Sequence, residues 1–357
     1  MNLNHIRERL EAREQSLSPY ATRVIDTAGR STPEEPHPYR TEFQRDRDRI
    51  IHTNTFRRLK HKSQVFLAPR GDHYTTRLTH TIEVQQVART IARALNLNED
   101  LVEATALGHD LGHTPFGHIG EKVLDRLLDG GFHHSRQSVR VVESLEKAGR
   151  GLNLTREVIE GIRRHSKPQG DFLSREAVDG MSLEAQTVRV SDALAYLTHD
   201  INDAIRAGAI TIDDLPAAAI KRLGARHSQR VDAVIAGIIE GTLQSMADAD
   251  AGGLPPVITM PDDLATVTND LRDFMFERVY LPLTDSEQGL AAQKIVEALF
   301  SHYVANPDEV TPEIRSSSDS PQRAAADMVC GMTDDFALRR AEEITAGISG
   351  NAFGGRI

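Results

Sequence analysis

A single cysteine, no tryptophan and no long apolar run set the first limits on this chain of 357 residues. One thiol, Cys330, cannot form an internal disulfide, and the first thirty residues lack a basic segment followed by an apolar stretch of about 7–15 residues. A reducing cytoplasmic location is the expectation. The richest apolar run, Val231 to Leu243, is interrupted by Asp232 and Glu240, well short of the roughly 18 unbroken apolar residues of a membrane span. No membrane partner is expected. Strand signals are equally scarce: almost no segment alternates apolar and polar residues with β-branched enrichment, whereas helical periodicity recurs throughout, so the fold class expected is all-α. Basic residues are in deficit, 42 against 52 acidic, for a net charge of −10. That balance argues against a surface that coats nucleic acid along its whole extent.

The deficit is not uniform. Ten basic and four acidic residues lie between Arg40 and Arg77, a local balance of +6. Within it Arg45-Asp46-Arg47-Asp48-Arg49 alternates in sign, as a solvated, ion-paired helix face does, so Arg57, Arg58 and Arg77 are the better candidates for phosphate contact. Composition divides the chain into an N-terminal arm (1–39) ending in the exposed run Pro33-Glu34-Glu35-Pro36-His37-Pro38, a histidine-rich core (40–208), and a C-terminal helical region (217–357). The last region is broken at Gly252-Gly253-Leu254-Pro255-Pro256 and Asn306-Pro307, and its glycine-containing tail from Gly350 reads as mobile.

Nine of the fifteen histidines fall between His52 and His134. Helical spacing sharpens that concentration. The stripe Val84, Val87, Ile91, Leu95 extends back by four residues to His80, which therefore points inward. Such a histidine is more often a satisfied core residue than a ligand. The following helix buries Val102 and Ala106, and the same face continues to His109 and His113; Asp110 adjoins His109, with Gly108, Gly112 and Pro115 permitting close backbone approach. A buried Asp110 carboxylate needs a partner, for which a divalent cation is the simplest choice. Asp192, Tyr196 and Asp200 recur at intervals of four among apolar Val188, Leu194 and Ile201, which is unusual for packing; the alternative is an Asp192 that simply pairs with an arginine.

Six ordered motifs carry a resemblance: Phe56-Arg57-Arg58-Leu59; Gln64-Val65-Phe66; Thr76-Arg77-Leu78-Thr79-His80; His109-Asp110-Leu111-Gly112-His113-Thr114-Pro115-Phe116-Gly117-His118; Phe132-His133-His134-Ser135-Arg136-Gln137-Ser138; and Asp192-Ala193-Leu194-Ala195-Tyr196-Leu197-Thr198-His199-Asp200. Together they resemble the bacterial dGTP triphosphohydrolase (dGTPase) family, its dGTPase-like branch, within the HD-domain phosphohydrolases. The likeness spans 40–208, with an echo at Gly331-Met332-Thr333-Asp334. One departure is Ser135, where relatives often carry asparagine.

The resemblance implies an HD-domain helical core with additional C-terminal helices, and His80, His109, Asp110 and Asp192 as ligands of a divalent ion. Two imidazoles and two carboxylates suit Mn²⁺, Mg²⁺, Fe²⁺, Co²⁺ or Ni²⁺, and the lack of cysteine near the site argues against structural zinc. It implies His118 as proton donor with Glu121 as its orienter, a pair whose i, i+3 spacing fits that relationship, and His113 and His134 facing the triphosphate. Arg77 matches a phosphate-contacting arginine and Gln64 a glutamine near sugar and base. Tyr196 and Asp200 would hold the deoxyribose and exclude a 2′-hydroxyl. The activity implied is cleavage of a deoxynucleoside triphosphate (dNTP), dGTP-like, into deoxynucleoside and inorganic triphosphate. The alternatives are an HD-type deoxynucleoside monophosphate nucleotidase and a nucleotide-sensing or single-stranded nucleic-acid-binding protein. Relatives form hexamers or tetramers, so a homo-oligomer is expected, with an activating dNTP and single-stranded nucleic acid as further candidate partners. His133 is expected at the surface, and His73, His165 and His199 carry no assignment.

Overall fold

The computed structural model describes residues 3–67, 73–166, 173–195 and 199–353. Among them there is no strand, only two isolated bridges, Arg30 with Thr155 and Ser63 with Thr76. The all-α expectation holds. Two compact units interleave along the chain: one comprises Met1–Ile50, Thr81–His109 and Asn153–Arg278, the other Ile51–His80, Asp110–Leu152 and Val279–Ile357.

In the first unit the Glu99–Gly108 helix begins at Asn98, whose side chain accepts from the backbone N–H groups of Asp100 and Leu101, a conventional amide cap. Leu101, Val102 and Ala106 are buried on it, and it packs against the Arg156–Arg164 and Leu183–Ala195 helices through Ile159, Ile162 and Val188. The N-terminal segment is not wholly an arm. Buried Glu184 accepts from the backbone N–H of Thr22 at 2.9 Å and its hydroxyl at 3.0 Å, and Arg30 pairs with Asp46, which also accepts both donors of Thr155. Residues 31–36 alone are continuously exposed. The alternating Arg45–Arg49 run is ion-paired within the unit: Arg45 to Glu42 at 2.7 Å, Arg47 to Asp48 at 2.8 Å and to Glu103 at 3.2 Å, Arg49 to Glu34. These guanidinium groups are engaged with carboxylates, and the local positive balance overstates the charge on offer to an anion.

The second unit is built around the Glu287–Ala305 helix, which packs on Gly117–Leu127, Pro321–Cys330 and Asp334–Ile344. Ile295, Val296 and Leu299 meet Val123, Leu124, Val329 and Leu338 in one apolar cluster. Burial of this many branched side chains, each contributing roughly 1.5–3 kcal/mol, stabilises the second unit. The chain end joins the same core: Phe353 is buried, its ring 5.9 Å from that of Phe116, so residues up to Phe353 are not the mobile tail that their glycine content suggests. Among the described residues no helix is long and apolar enough to cross a membrane.

Candidate active site

The turn from Asp110 to Gly117 lies in the second unit, and glycine is what lets it close. A Cβ on Gly112 would stand 2.1 Å from the backbone nitrogen of Ser138 and 2.4 Å from the carbonyl of His134. Only a bare Cα fits there, and the Gly112 N–H donates to the Ser138 hydroxyl at 2.8 Å. The turn is thereby pressed against the first turn of the His134–Arg140 helix, and the His113 ring stacks on His134 with centroids 4.1 Å apart. Phe116 (φ +60°) and Gly117 (φ +56°) follow in left-handed conformation, reversing the chain into the Gly117–Leu127 helix.

Two of that helix's residues are the predicted pair. His118 Nδ1 lies 2.8 Å from Glu121 Oε2, while Glu121 Oε1 accepts from His134 Nδ1 at 2.8 Å and from the His134 backbone N–H at 2.7 Å. One buried carboxylate therefore clamps two imidazoles. Burial works to raise the Glu121 carboxyl, but the charge of His134 and the bonds from His118 and His134 outweigh it and hold it well below the usual carboxylate range. Burial disfavours an imidazolium at His134, yet the Glu121 charge and hydrogen bond prevail and raise it. Burial, reinforced by the charges of Arg77 and His134, pushes His113 well below its ordinary value. The cluster thus contains one neutral ring stacked on one that favours the proton. His118 is two-thirds exposed at its side chain while its anchor is buried, so the imidazole stands where solvent or substrate reaches it.

Asp110, also in this unit, is 3% exposed and surrounded by cations and imidazoles: Arg77 Nη1 at 2.8 Å, His113 Nε2 at 3.3 Å and His80 Nε2 at 3.7 Å. The guanidinium already compensates the buried carboxylate, so burial cost alone does not require a metal ion. Arg77 is spent in part on Asp110, a role beyond the phosphate contact expected of it. Gln64 is half-buried, and its Oε1 has no hydrogen-bond partner; its carbonyl and Arg77 Nη2 both stand against Gly117.

In the first unit, His109 Nε2 is 3.8 Å from Asp192 Oδ1. The Nδ1 of His109 lies 2.6 Å from the carbonyl of Ala106, which can only accept, so Nδ1 carries the proton and Nε2 presents the lone pair. That tautomer is the one a metal-ligating histidine adopts when its outer nitrogen is fixed by a backbone acceptor. The donor types assigned from sequence, two imidazoles and two carboxylates, suit a hard or borderline divalent ion. His165, unassigned from sequence, is fully buried with its ring 4.9 Å from His109 and its Nδ1 2.7 Å from the Ile162 carbonyl. Its signal was the stripe Val158, Ile162, His165. His199 lies 2.6 Å from Glu83 and 3.3 Å from Asp200, and Asp200 is buried. Tyr196 lies outside the described residues. His133 is exposed as expected and caps the His134–Arg140 helix; Ser135, the departure from the family pattern, bonds its Nδ1 at 2.9 Å.

An HD domain model matches residues 77–197, and a phosphohydrolase-associated domain model matches 258–343. A deoxyguanosinetriphosphate triphosphohydrolase-like protein of Caldanaerobacter subterraneus is 47% identical over 349 residues, covering 96% of each chain. The chain belongs to this family of HD-domain phosphohydrolases. Proteins with the same description from Desulfatibacillum aliphaticivorans and a Ruegeria species are 48% and 39% identical, over 95% and 92% of this chain and 97% and 99% of theirs. Cys330 is closer to the HD turn than the sequence suggested, its Sγ 3.1 Å from the Gly112 carbonyl, but burial pushes its thiol up to about 11. It is a protonated donor and no thiolate ligand.

Proposed function

We propose that the protein hydrolyses a dGTP-like deoxynucleoside triphosphate at the α-phosphorus, with a divalent ion held by His80, His109, Asp110 and Asp192. The observation that carries the reading is the Glu121 clamp, which offers an exposed, carboxylate-anchored imidazole beside a buried one that favours its proton. The name of the relatives supports the choice of substrate. When bound, the ion supplies Lewis-acid polarisation of a phosphoryl oxygen and lowers the pKa of water.

The chain's own residues do the rest. Water adds to the α-phosphorus, the bond to the 5′-oxygen breaks, and the departing oxygen takes a proton from His118 Nε2, whose Nδ1 is steadied by Glu121. His134, holding its proton against burial, and Arg77 place positive charge where the phosphates would lie. His113, neutral, packs the floor without adding charge. Tyr196 and Asp200 would hold the sugar, and Gln64, with a buried acceptor to satisfy, would face the sugar or base.

The test is incubation with each dNTP and ribonucleoside triphosphate, singly and in pairs, with Mn²⁺ or Mg²⁺ in ¹⁸O-water, followed by ion-exchange chromatography and mass spectrometry. Deoxynucleoside plus inorganic triphosphate carrying the ¹⁸O is the expected outcome, and rate enhancement in mixtures would reveal an activating dNTP. Release of orthophosphate or pyrophosphate overturns the reading.

A further inference from the structure

Outside the residues assigned above, the second unit contains a buried ammonium and a buried carboxylate whose partners are almost entirely backbone. Lys62 is 1% exposed, and its Nζ donates to the carbonyls of His113 at 2.5 Å and Cys330 at 2.7 Å. Asp334 is 5% exposed; its Oδ1 accepts from the Phe116 N–H at 3.0 Å and its Oδ2 from the Ser63 N–H at 2.9 Å. Each group joins the same pieces: the 62–64 segment, the 113–116 turn, and the 330–334 connection between the two C-terminal helices.

A buried ammonium is costly to desolvate, and this one lies against two carbonyls where an apolar side chain would fill the space without that penalty. Burial lowers Lys62 to about 8. Asp334 meets a turn that is itself strained: Phe116 holds φ +60° without being glycine, and its N–H is the donor that Asp334 captures. Asp334 is well placed for this at the first position of the Asp334–Ile344 helix, with Thr333 capping the same end. The two held residues flank the cluster. The Lys62 acceptor is the carbonyl of His113, whose ring stacks on His134, and Phe116 immediately precedes the Gly117–Leu127 helix that carries His118 and Glu121.

We propose that Lys62 and Asp334 are positioning residues for the His113, His118, Glu121 and His134 cluster, so that the phosphohydrolase-associated segment 258–343 completes the active site through Cys330 and Asp334. The inference rests on the catalytic reading of that cluster. Neither residue touches the reacting atoms; each fixes the backbone from which the imidazoles project. Because the anchors are backbone groups, conservative changes in shape that delete charge should disturb ring geometry without emptying the core.

The test compares Lys62→Met and Asp334→Asn with wild type by three measurements on the full-length chain: kcat and KM for dGTP across pH 5–9, bound metal by elemental analysis, and imidazole ¹H–¹⁵N spectra. Either variant decides if the other fails to fold. The expected result is a loss of about 10-fold or more in kcat with KM and metal content within about 2-fold, an altered pH limb, and shifts in the ring signals of His113, His118 and His134 but not of His227 or His302. Unchanged ring signals, or an activity loss that follows metal content or unfolded fraction, overturns the proposal. The spectra do not depend on turnover. If wild type hydrolyses no nucleotide the functional reading fails, while shifted or unshifted ring signals still decide whether these two residues position the cluster.

Discussion

Glu121→Gln removes one charge and almost no volume from the centre of the histidine cluster. The wild-type carboxylate accepts three bonds, two from His134 on Oε1 and one from His118 on Oε2. Glutamine has one oxygen. Directed at His134 it keeps both of those bonds, and its NH₂ then faces His118 Nδ1, which must give up its proton to accept. The reverse orientation sets an NH₂ against the His134 backbone N–H, so the first is adopted. His118 loses its anionic support, and with it a charge-assisted bond of about 1.5–3 kcal/mol, which converts to a loss of about one to two decades in kcat. His118→Ala, which deletes the donor, should lose more, about 10²–10⁴-fold.

The same substitution has a stability signature. The Glu121 carboxyl is held below its unfolded value, so its contribution is present above about pH 4.5 and lost as pH falls through the folded value. His134 is raised, so its contribution is complete below about pH 6.5 and lost as pH rises through the folded value. Wild type should therefore exceed Glu121→Gln in stability most between about pH 4.5 and 6.5. Steady-state kinetics on dGTP at pH 5–9 and thermal unfolding at pH 3–9 measure both effects. A variant with kcat within about 2-fold of wild type and the same shape of Tm against pH would refute the clamp as the basis of catalysis.

His109→Ala and Asp110→Ala should each lose bound metal by elemental analysis, but Asp110→Ala should also lower stability by about 3–5 kcal/mol in denaturant titration, because it leaves the buried Arg77 guanidinium without its carboxylate. Full metal occupancy in either would remove the ligand assignment. Lys62, lowered from 10.5 to about 8, makes the unfolded chain bind the proton more readily between those values, so stability should rise with pH across that window by about 3 kcal/mol relative to Lys62→Met. Tyr196→Ala should narrow the preference for dGTP over GTP and Asp200→Asn should weaken dNTP binding, both read from kcat/KM; an unchanged ratio places sugar selection elsewhere.

What could be read from sequence was whatever a local spacing encodes. His118 and Glu121, three residues apart on one helix, are bonded as their spacing predicts, and the inward stripe ending at His80 lies buried. Contacts made across long separations, or to backbone, left no such trace. Arg77 and Asp110 are thirty-three positions apart, and nothing in either neighbourhood marks them as partners. Lys62 spends its donors on carbonyls, which every residue possesses, and Asp334 accepts from N–H groups, which nearly every residue possesses. The motif Gly331-Met332-Thr333-Asp334 was recognisable as a word; only the fold gives its last letter a task.

Arg77 shows why the donor set and the positive charge of this site have to be considered together. Its Nη1 holds Asp110 at 2.8 Å, and a Cβ at Gly117 would stand 2.7 Å from its Nη2, so the side chain is fixed at one end by a carboxylate and accommodated along its other edge by the missing side chain of a glycine. A lysine would retain the charge but not the planar fork, and could not both orient Asp110 and lie flat beside Gly117. Burial first, and then the guanidinium, depress the proton affinity of His113, whereas at His134 the charge and hydrogen bond of Glu121 prevail over burial and over Arg77. One buried arginine therefore orients a carboxylate of the proposed metal set and opposes a proton on both stacked imidazoles. The carboxylate at Glu121 reaches His134 and not His113, and the division of charge across the stack follows from that one-sided contact.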